Sequence, residues 1–199
     1  DHYHSSLAGS YGVARPIVTM LERLLTPTDL FGIATALMQP RDLILGRQIT
    51  TIEDQLQRHW TWGLQSGAIS LDPTEQRLVG CYGNGVALAV TDRAREERTL
   101  ESLSGFVRYL SGLREARKAL IVFSRGWTLY EPDPGALNQL LTPERSGQPQ
   151  VGISGGKLTT TVPNQPGLAD WNWCATEVGR AFNLDNRKRY RELINEANR

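Results

Sequence analysis

The first six residues carry the side chains best suited to chemistry. They read DHYHSS, so a carboxylate at Asp1, imidazoles at His2 and His4, and two hydroxyls lie within one short segment. Carboxylate and hydroxyl oxygens suit a hard cation such as Mg²⁺. The two histidines could instead bind a transition metal or serve a hydrolase as a base, although a loop histidine is more commonly part of the polar surface. The serines of this segment stand outside any G-x-S-x-G motif, the usual setting of a hydrolase nucleophile.

A second polar group follows the most apolar short run of the chain. Residues 118–127 read KALIVFSRGW, and a long amphipathic segment leads into them. A short apolar run after a helix, ended by glycine, predicts a parallel strand that is buried on both faces. Ligands bind just outside the carboxyl ends of such strands. Ser124, Arg125 and Gly126 therefore occupy a predicted functional position, and because they are not a catalytic set they favour binding over catalysis.

Composition limits the classes of partner. The chain has 199 residues, of which 40% are hydrophobic and 22% charged, as in a soluble globular domain. Its formal net charge is +1, which gives no electrostatic case for nucleic acid or an anionic membrane. No apolar run approaches the roughly 20 residues of a membrane helix. We therefore expect neither a nucleic-acid partner nor membrane insertion within this chain.

The apolar periodicity predicts a mixed arrangement of elements. Helices are predicted at residues 13–25, 50–60, 86–98, 99–117, 170–182 and 186–198. Strands are predicted at 30–38, 43–45 and 119–123, a loop at 61–85, and an irregular insertion at about 131–168 with a hairpin near 154–157. Pro16 is placed in the first turn of the first helix, the TPTD sequence at 26–29 at its end, and Asp170 and Asp185 as N-caps of the last two helices. The order predicts a three-layer, Rossmann-like α/β fold with a mostly parallel sheet.

One stretch combines helical periodicity with an unusual density of charge. Residues 92–98 read DRAREER, and opposite charges recur there three and four positions apart. Such spacing is typical of a solvated helix face, so we expect these side chains to be exposed.

Four stretches together resemble von Willebrand factor type A domains, in the divergent form found in secreted bacterial proteins. They are DHYHSS at 1–6, LLTPTDLFGIATAL at 24–37, LSGLREARKALIVFSRGW at 110–127 and FNLDNRKRYRELINEANR at 182–199. The resemblance covers about half of the chain. It implies one domain over residues 1–199 that is incomplete at both ends, with its first and last strands missing.

The resemblance also implies a metal-ion-dependent adhesion site, here degenerate. The family pattern Asp-x-Ser-x-Ser would place Asp1 and Ser5 as ligands, but Tyr3 replaces the first serine, and the family's Thr-Asp-Gly is replaced by Ser124-Arg125-Gly126. A guanidinium 4 Å from a bound cation repels it by about 4 kcal/mol for each unit of charge at an effective dielectric near 20. We therefore expect no cofactor, with Mg²⁺ as the alternative. We hypothesise that Arg125 forms an ion pair with Asp1, the alternative being an Arg125 that points into solvent.

The function implied is non-enzymatic: adhesion to, or assembly with, a protein or another extracellular ligand. The expected ligand-binding face comprises Asp1, Tyr3, Ser5, Ser6, Ser124, Arg125, Gly126 and Trp127. A hydrolase-like enzyme on a Rossmann-like sheet that uses His2 or His4, and a purely structural module, are the alternatives.

The pairing state of the two cysteines indicates the cellular compartment of the protein. Cys81 and Cys174 are the two cysteines, and their spacing leaves a disulfide and two separate buried thiols equally open. Because the resembling bacterial domains are exported, the resemblance favours a Cys81–Cys174 bridge and a secreted or cell-envelope location.

Overall fold

Helices dominate the computed structural model, which describes residues 1–47, 72–113, 118–141, 152–154, 157–159 and 168–199. The helices are α1 (Leu7–Leu24), α2 (Pro73–Ser111), α3 (Pro134–Leu141), α4 (Leu168–Phe182) and α5 (Asn186–Ala197), with a 3₁₀ turn at Pro40–Asp42. The strands are β1 (Gly152–Ser154) and β2 (Lys157–Thr159). They form an antiparallel hairpin in which Ser154 pairs with Lys157, which confirms the hairpin predicted there.

The predicted three-layer, Rossmann-like α/β fold is wrong. Apart from the hairpin, the described residues contain one isolated antiparallel bridge, between Phe31 and Gly46, and no parallel sheet. The run at 119–123 has no regular structure, and Leu120, Ile121 and Val122 are 44%, 49% and 39% exposed. The runs at 30–38 and 43–45 likewise form no strand. An apolar run becomes a strand only where another segment pairs with it over several residues. Among the described residues, the pairing beside the runs 30–38 and 43–45 is limited to the single bridge between Phe31 and Gly46.

Helix α1 begins six residues earlier than predicted, because Ser6 caps it. The Ser6 hydroxyl accepts a hydrogen bond from the Gly9 amide at 3.1 Å, which satisfies one of the free donors of the first turn. Pro16 consequently lies inside the helix rather than in its first turn, and it removes the hydrogen bond that an amide there would donate to the Gly12 carbonyl.

The predicted end of α1 is confirmed. The helix ends at Leu24, and the TPTD turn follows. Asp29 Oδ2 accepts hydrogen bonds from the Thr26 amide at 2.7 Å and the Thr26 hydroxyl at 2.8 Å. These bonds hold the pKa of the Asp29 carboxyl below its usual value, because they favour the charged form.

Helix α2 replaces three predicted elements. It spans 39 residues in two helical stretches that meet at a kink at Gly83, so that residues 73–85 are largely helical where a loop was expected. The one non-helical residue is Gly83, with φ 72° and ψ 175°, a conformation that glycine adopts without a steric penalty. The predicted helix at 50–60 and the end of the one at 99–117 lie outside the described residues.

Helix α4 ends, and helix α5 begins, close to where the sequence predicts. Helix α4 ends at Phe182 as expected, but it begins at Leu168, so Asp170 is not its cap. Asp185 caps α5 as predicted, since its Oδ1 accepts the Lys188 amide at 2.8 Å.

The chain forms two compact units. Among the described residues, unit 1 comprises 1–47, 98–113, 118–128 and 189–199, and unit 2 comprises 72–97, 129–141, both strands and 168–188. The core of unit 1 contains Leu100, Val107 and Leu193, with Leu103, Trp127 and Tyr190 packed against them. The core of unit 2 contains Leu78, Ala87, Val90, Val178, Ala181 and Phe182.

The predicted disulfide is present in unit 2. Cys81 of α2 is bonded to Cys174 of α4, with their Cα atoms 6.4 Å apart, within the range that a bridge requires. The bond joins positions 93 residues apart.

The prediction of a solvated face at 92–98 is wrong. Arg95 is 2% exposed and Glu96 0%. The Arg95 guanidinium donates to both carboxylate oxygens of Glu75, at 3.1 and 2.8 Å. The Arg93 guanidinium lies 4.3 Å from the ring centres of both Tyr130 and Phe182. Arg95 and Glu96 are buried because residues distant in the sequence supply their partners, which the local spacing does not reveal.

Glu96 connects three segments of unit 2. Its Oε2 accepts the Leu129 amide, and its Oε1 accepts the Tyr130 amide and the Asn186 side-chain amide, each at 3.0 Å. Leu129 has φ 56°, which is costly for a branched side chain. The Glu96 carboxylate thus holds the backbone after Thr128 in an unfavourable conformation.

Candidate functional site

The segment 1–6 and the loop 124–127 lie side by side in unit 1. The Asp1 backbone nitrogen donates to the Phe123 carbonyl at 3.0 Å, and the Arg125 amide donates to the His4 carbonyl at 2.9 Å. These two bonds bring the polar start of the chain against the residues that follow the apolar run. We call the group Asp1, His4, Ser5, Ser124 and Trp127 the Asp1 site.

The Asp1 carboxylate is the centre of this site. Its side chain is 1% exposed. Oδ2 accepts hydrogen bonds from His4 Nδ1 at 2.8 Å, Ser124 Oγ at 2.9 Å and Trp127 Nε1 at 2.6 Å. Oδ1 lies 3.2 Å from the His4 amide and 3.0 Å from His4 Nδ1. An ionised carboxylate only accepts, so Nδ1 is the ring nitrogen of His4 that carries the hydrogen.

The loop that reaches Asp1 is anchored in the core of unit 1. The Trp127 ring packs edge-on against Tyr190 of α5, with centroids 5.7 Å apart. Gly126 has φ 104°, and its amide donates to Ser124 Oγ at 3.1 Å. Because only glycine adopts this φ readily, Gly126 allows the chain to turn so that Ser124 and Trp127 both face Asp1.

The residues that the sequence nominated for the binding face have different roles. The structure brings Asp1, Ser5, Ser124 and Trp127 together. Ser6 caps α1, and Tyr3 is buried, with its ring 4.0 Å from that of His2. Gly126 and the side chains of Ser124 and Arg125 are exposed.

The hypothesis of an Arg125–Asp1 ion pair is wrong. In the described part of the chain, the Asp1 carboxylate is hydrogen-bonded to His4 Nδ1, and Arg125 forms no ion pair with it. Sequence reasoning took His4 for a surface residue, a transition-metal ligand or a catalytic base, and did not connect it with Asp1. Their spacing of three residues was the available signal, since a short turn brings such positions together.

The Asp1 site does not fit a magnesium-type cation through Asp1 and Ser5. All four donors around the carboxylate would have to turn away before a metal could approach it. Ser5 Oγ is also engaged, since it donates to the Asp1 carbonyl at 2.6 Å. In the residues that the structure describes, no cluster of three or more histidine, cysteine, aspartate or glutamate side chains could hold a metal.

A shallow groove of about 210 Å³ adjoins the site. Val13 of α1, Val122 and Phe123 supply its apolar part, and Arg125 lies at its polar edge. The groove is also lined by Ser5, Ser6, Gly9 and Ser124. It therefore offers a small apolar depression beside an exposed cation.

In comparisons with protein-family models, curated proteins and solved structures, nothing matches this chain. No helix in the described part has both the length and the apolar composition of a transmembrane segment.

Proposed function

We propose that this chain is a non-enzymatic binding module that contacts a protein or other extracellular ligand beside the Asp1 site. The observation that supports this most is the enclosure of the Asp1 carboxylate by four donors. A carboxylate so engaged cannot coordinate a cation or abstract a proton without breaking those bonds. Its effect is instead to hold the segment 1–6 and the loop 124–127 together.

The surface that this arrangement presents suits recognition. We define the binding face as the exposed loop 124–126 together with the groove lined by Val13, Val122 and Phe123. An apolar depression beside an arginine has the composition of an interface centre. The loop is held in place by the anchored Trp127, so that little ordering is required when a partner binds.

The proposal includes export from a bacterial cell, to the secreted fraction or the envelope. The Cys81–Cys174 bridge supports it, because disulfides persist in oxidising compartments. The resemblance to type A domains supports it as well, through the two loops that the family places side by side. The α/β fold of that family is not part of the proposal.

The hydrolase alternative has one observation in its favour, the Asp1–His4 pair. The hydroxyls of Ser5 and Ser124, however, donate to Asp1. The G-x-S-x-G sequence of the chain, GISGG at 152–156, places Ser154 in strand β1 of a hairpin rather than in a strand-to-helix turn. Covalent labelling of the native chain by a fluorophosphonate would favour the hydrolase.

Selection from a displayed library of random peptides tests the binding proposal. We expect enrichment of peptides that bind the wild type and lose at least about tenfold in affinity for Arg125→Glu, since the substitution reverses the charge of the binding face. Arg41→Glu is the matched control, because Arg41 is a highly exposed arginine of the same unit.

Peptides that bind the wild type, Arg125→Glu and Arg41→Glu equally would contradict the proposal. Failure to enrich any peptide would favour a purely structural module.

A further inference from the structure

The backbone of residues 119–122, the segment that precedes the loop 124–127, forms no hydrogen bonds within the described part of the protein. These residues lie in no helix, and none of them has a positive φ. Such a segment can accept a neighbouring strand, because backbone donors and acceptors that alternate along it are satisfied best by another extended chain.

The side chains of this segment are also uncovered. Leu120, Ile121 and Val122 are all exposed, and successive residues of a strand point to opposite faces. Three consecutive exposed apolar residues are a poor surface for an isolated chain. The segment thus has the composition of a sheet strand and lacks the neighbours that a strand needs.

Charge indicates which kind of strand fits. Lys118 lies at one end of the segment and Arg125 beyond the other, and both side chains are exposed. Val122 also lines the groove of the binding face, so that a side chain of an added strand could occupy that groove.

We infer that residues 119–122 are an open edge to which an extended, apolar peptide of a partner protein with acidic flanks adds as a strand. This rests on the proposed function and specifies the partner. The peptide pairs its backbone with 119–122, places an apolar side chain in the groove beside Val13, and directs its acidic flanks toward Lys118 and Arg125.

Amide hydrogen exchange with a defined peptide tests the inference. The probe is a capped six-residue peptide of alternating valine and isoleucine with a glutamate at each end. Its control has the same sequence with alternate amides N-methylated, so that it cannot pair. We expect the probe to slow exchange at 120–122 at least about tenfold and the control to have no effect.

Two matched substitutions complete the design. Ile121→Asp places a negative charge on the edge and should weaken probe binding at least about tenfold. Leu37→Asp replaces a leucine of the same unit that is 61% exposed, against 49% for Ile121, and should leave binding unchanged.

Equal protection by the N-methylated peptide, or amides at 120–122 that are already protected in the free chain, would overturn the inference. Protection that rises with protein concentration would assign the edge to a second copy of the chain and would overturn it too. Arg125-dependent library peptides that leave 120–122 unprotected would reject this inference while the proposed function stands.

Discussion

Replacing Glu96 with alanine should lower the free energy of unfolding of unit 2 by about 3–5 kcal/mol, because three buried or half-buried donors would lose their acceptor. The Leu129 and Tyr130 amides and the Asn186 side chain all donate to this carboxylate. Leu129 would also lose the contact that holds its positive φ. Native-state hydrogen exchange of the amides in α4 reports the stability of unit 2 directly.

The control is Glu101→Ala, since Glu101 is an exposed glutamate of the same helix in unit 1, and its loss should change the stability of unit 2 by less than about 0.5 kcal/mol. Glu96→Gln should fall between the two, because an amide retains one acceptor oxygen but turns a donor toward a donor. A Glu96→Ala variant as stable as the control would show that the carboxylate is not a structural centre of unit 2.

Removing the disulfide should cost unit 2 about 4.6 kcal/mol. The bridge joins positions 93 residues apart, and in the chain-entropy model a loop of that length restricts the unfolded state by this amount. The comparison is thermal unfolding of the wild type with that of the double variant Cys81→Ala and Cys174→Ala, each with and without reductant.

Reductant should lower the melting temperature of the wild type and leave that of the double variant unchanged. The double variant thus controls for effects of the reductant other than cleavage of the disulfide. A thiol reagent should detect no free thiol in the native wild type. Two reactive thiols in the native protein, or equal melting temperatures for the two proteins, would contradict the bridge.

The sequence predicted elements whose signals are local. The turn at Thr26–Asp29 and the cap at Asp185 were identified because each depends on side chains within three residues of the backbone they bind. The start of α1 was missed although Ser6 is a favourable N-cap, since the apolar periodicity was read only from Val13.

The errors lie where structure depends on distant partners. A strand at 119–123 was predicted from its apolar composition, but a strand forms only if another chain segment pairs with it. Glu96 was assigned to solvent because nearby residues offered opposite charges. Its actual partners, Leu129 and Asn186, lie 33 and 90 positions away.

The sequence predicted most residues of the candidate site but not the hydrogen bonds between them. The resemblance to type A domains implied that Asp1 and Ser124 approach each other, and they share a hydrogen bond. Which side chain bonds to the Asp1 carboxylate was not predictable, because the length and direction of side chains in two loops decide it. His4 reaches the carboxylate from three residues away, whereas the side chain of Arg125 is exposed.

The central claim is that internal donors, and not a metal ion, occupy the Asp1 carboxylate. The most direct measurement is the indole N–H resonance of Trp127, identified by its loss in Trp127→Phe, followed during addition of paramagnetic Mn²⁺. We predict a signal that stays sharp at equimolar Mn²⁺ and shifts in Asp1→Asn, because the indole donates to this carboxylate at 2.6 Å. A signal that broadens beyond detection at substoichiometric Mn²⁺, and is restored in Asp1→Asn, would contradict it.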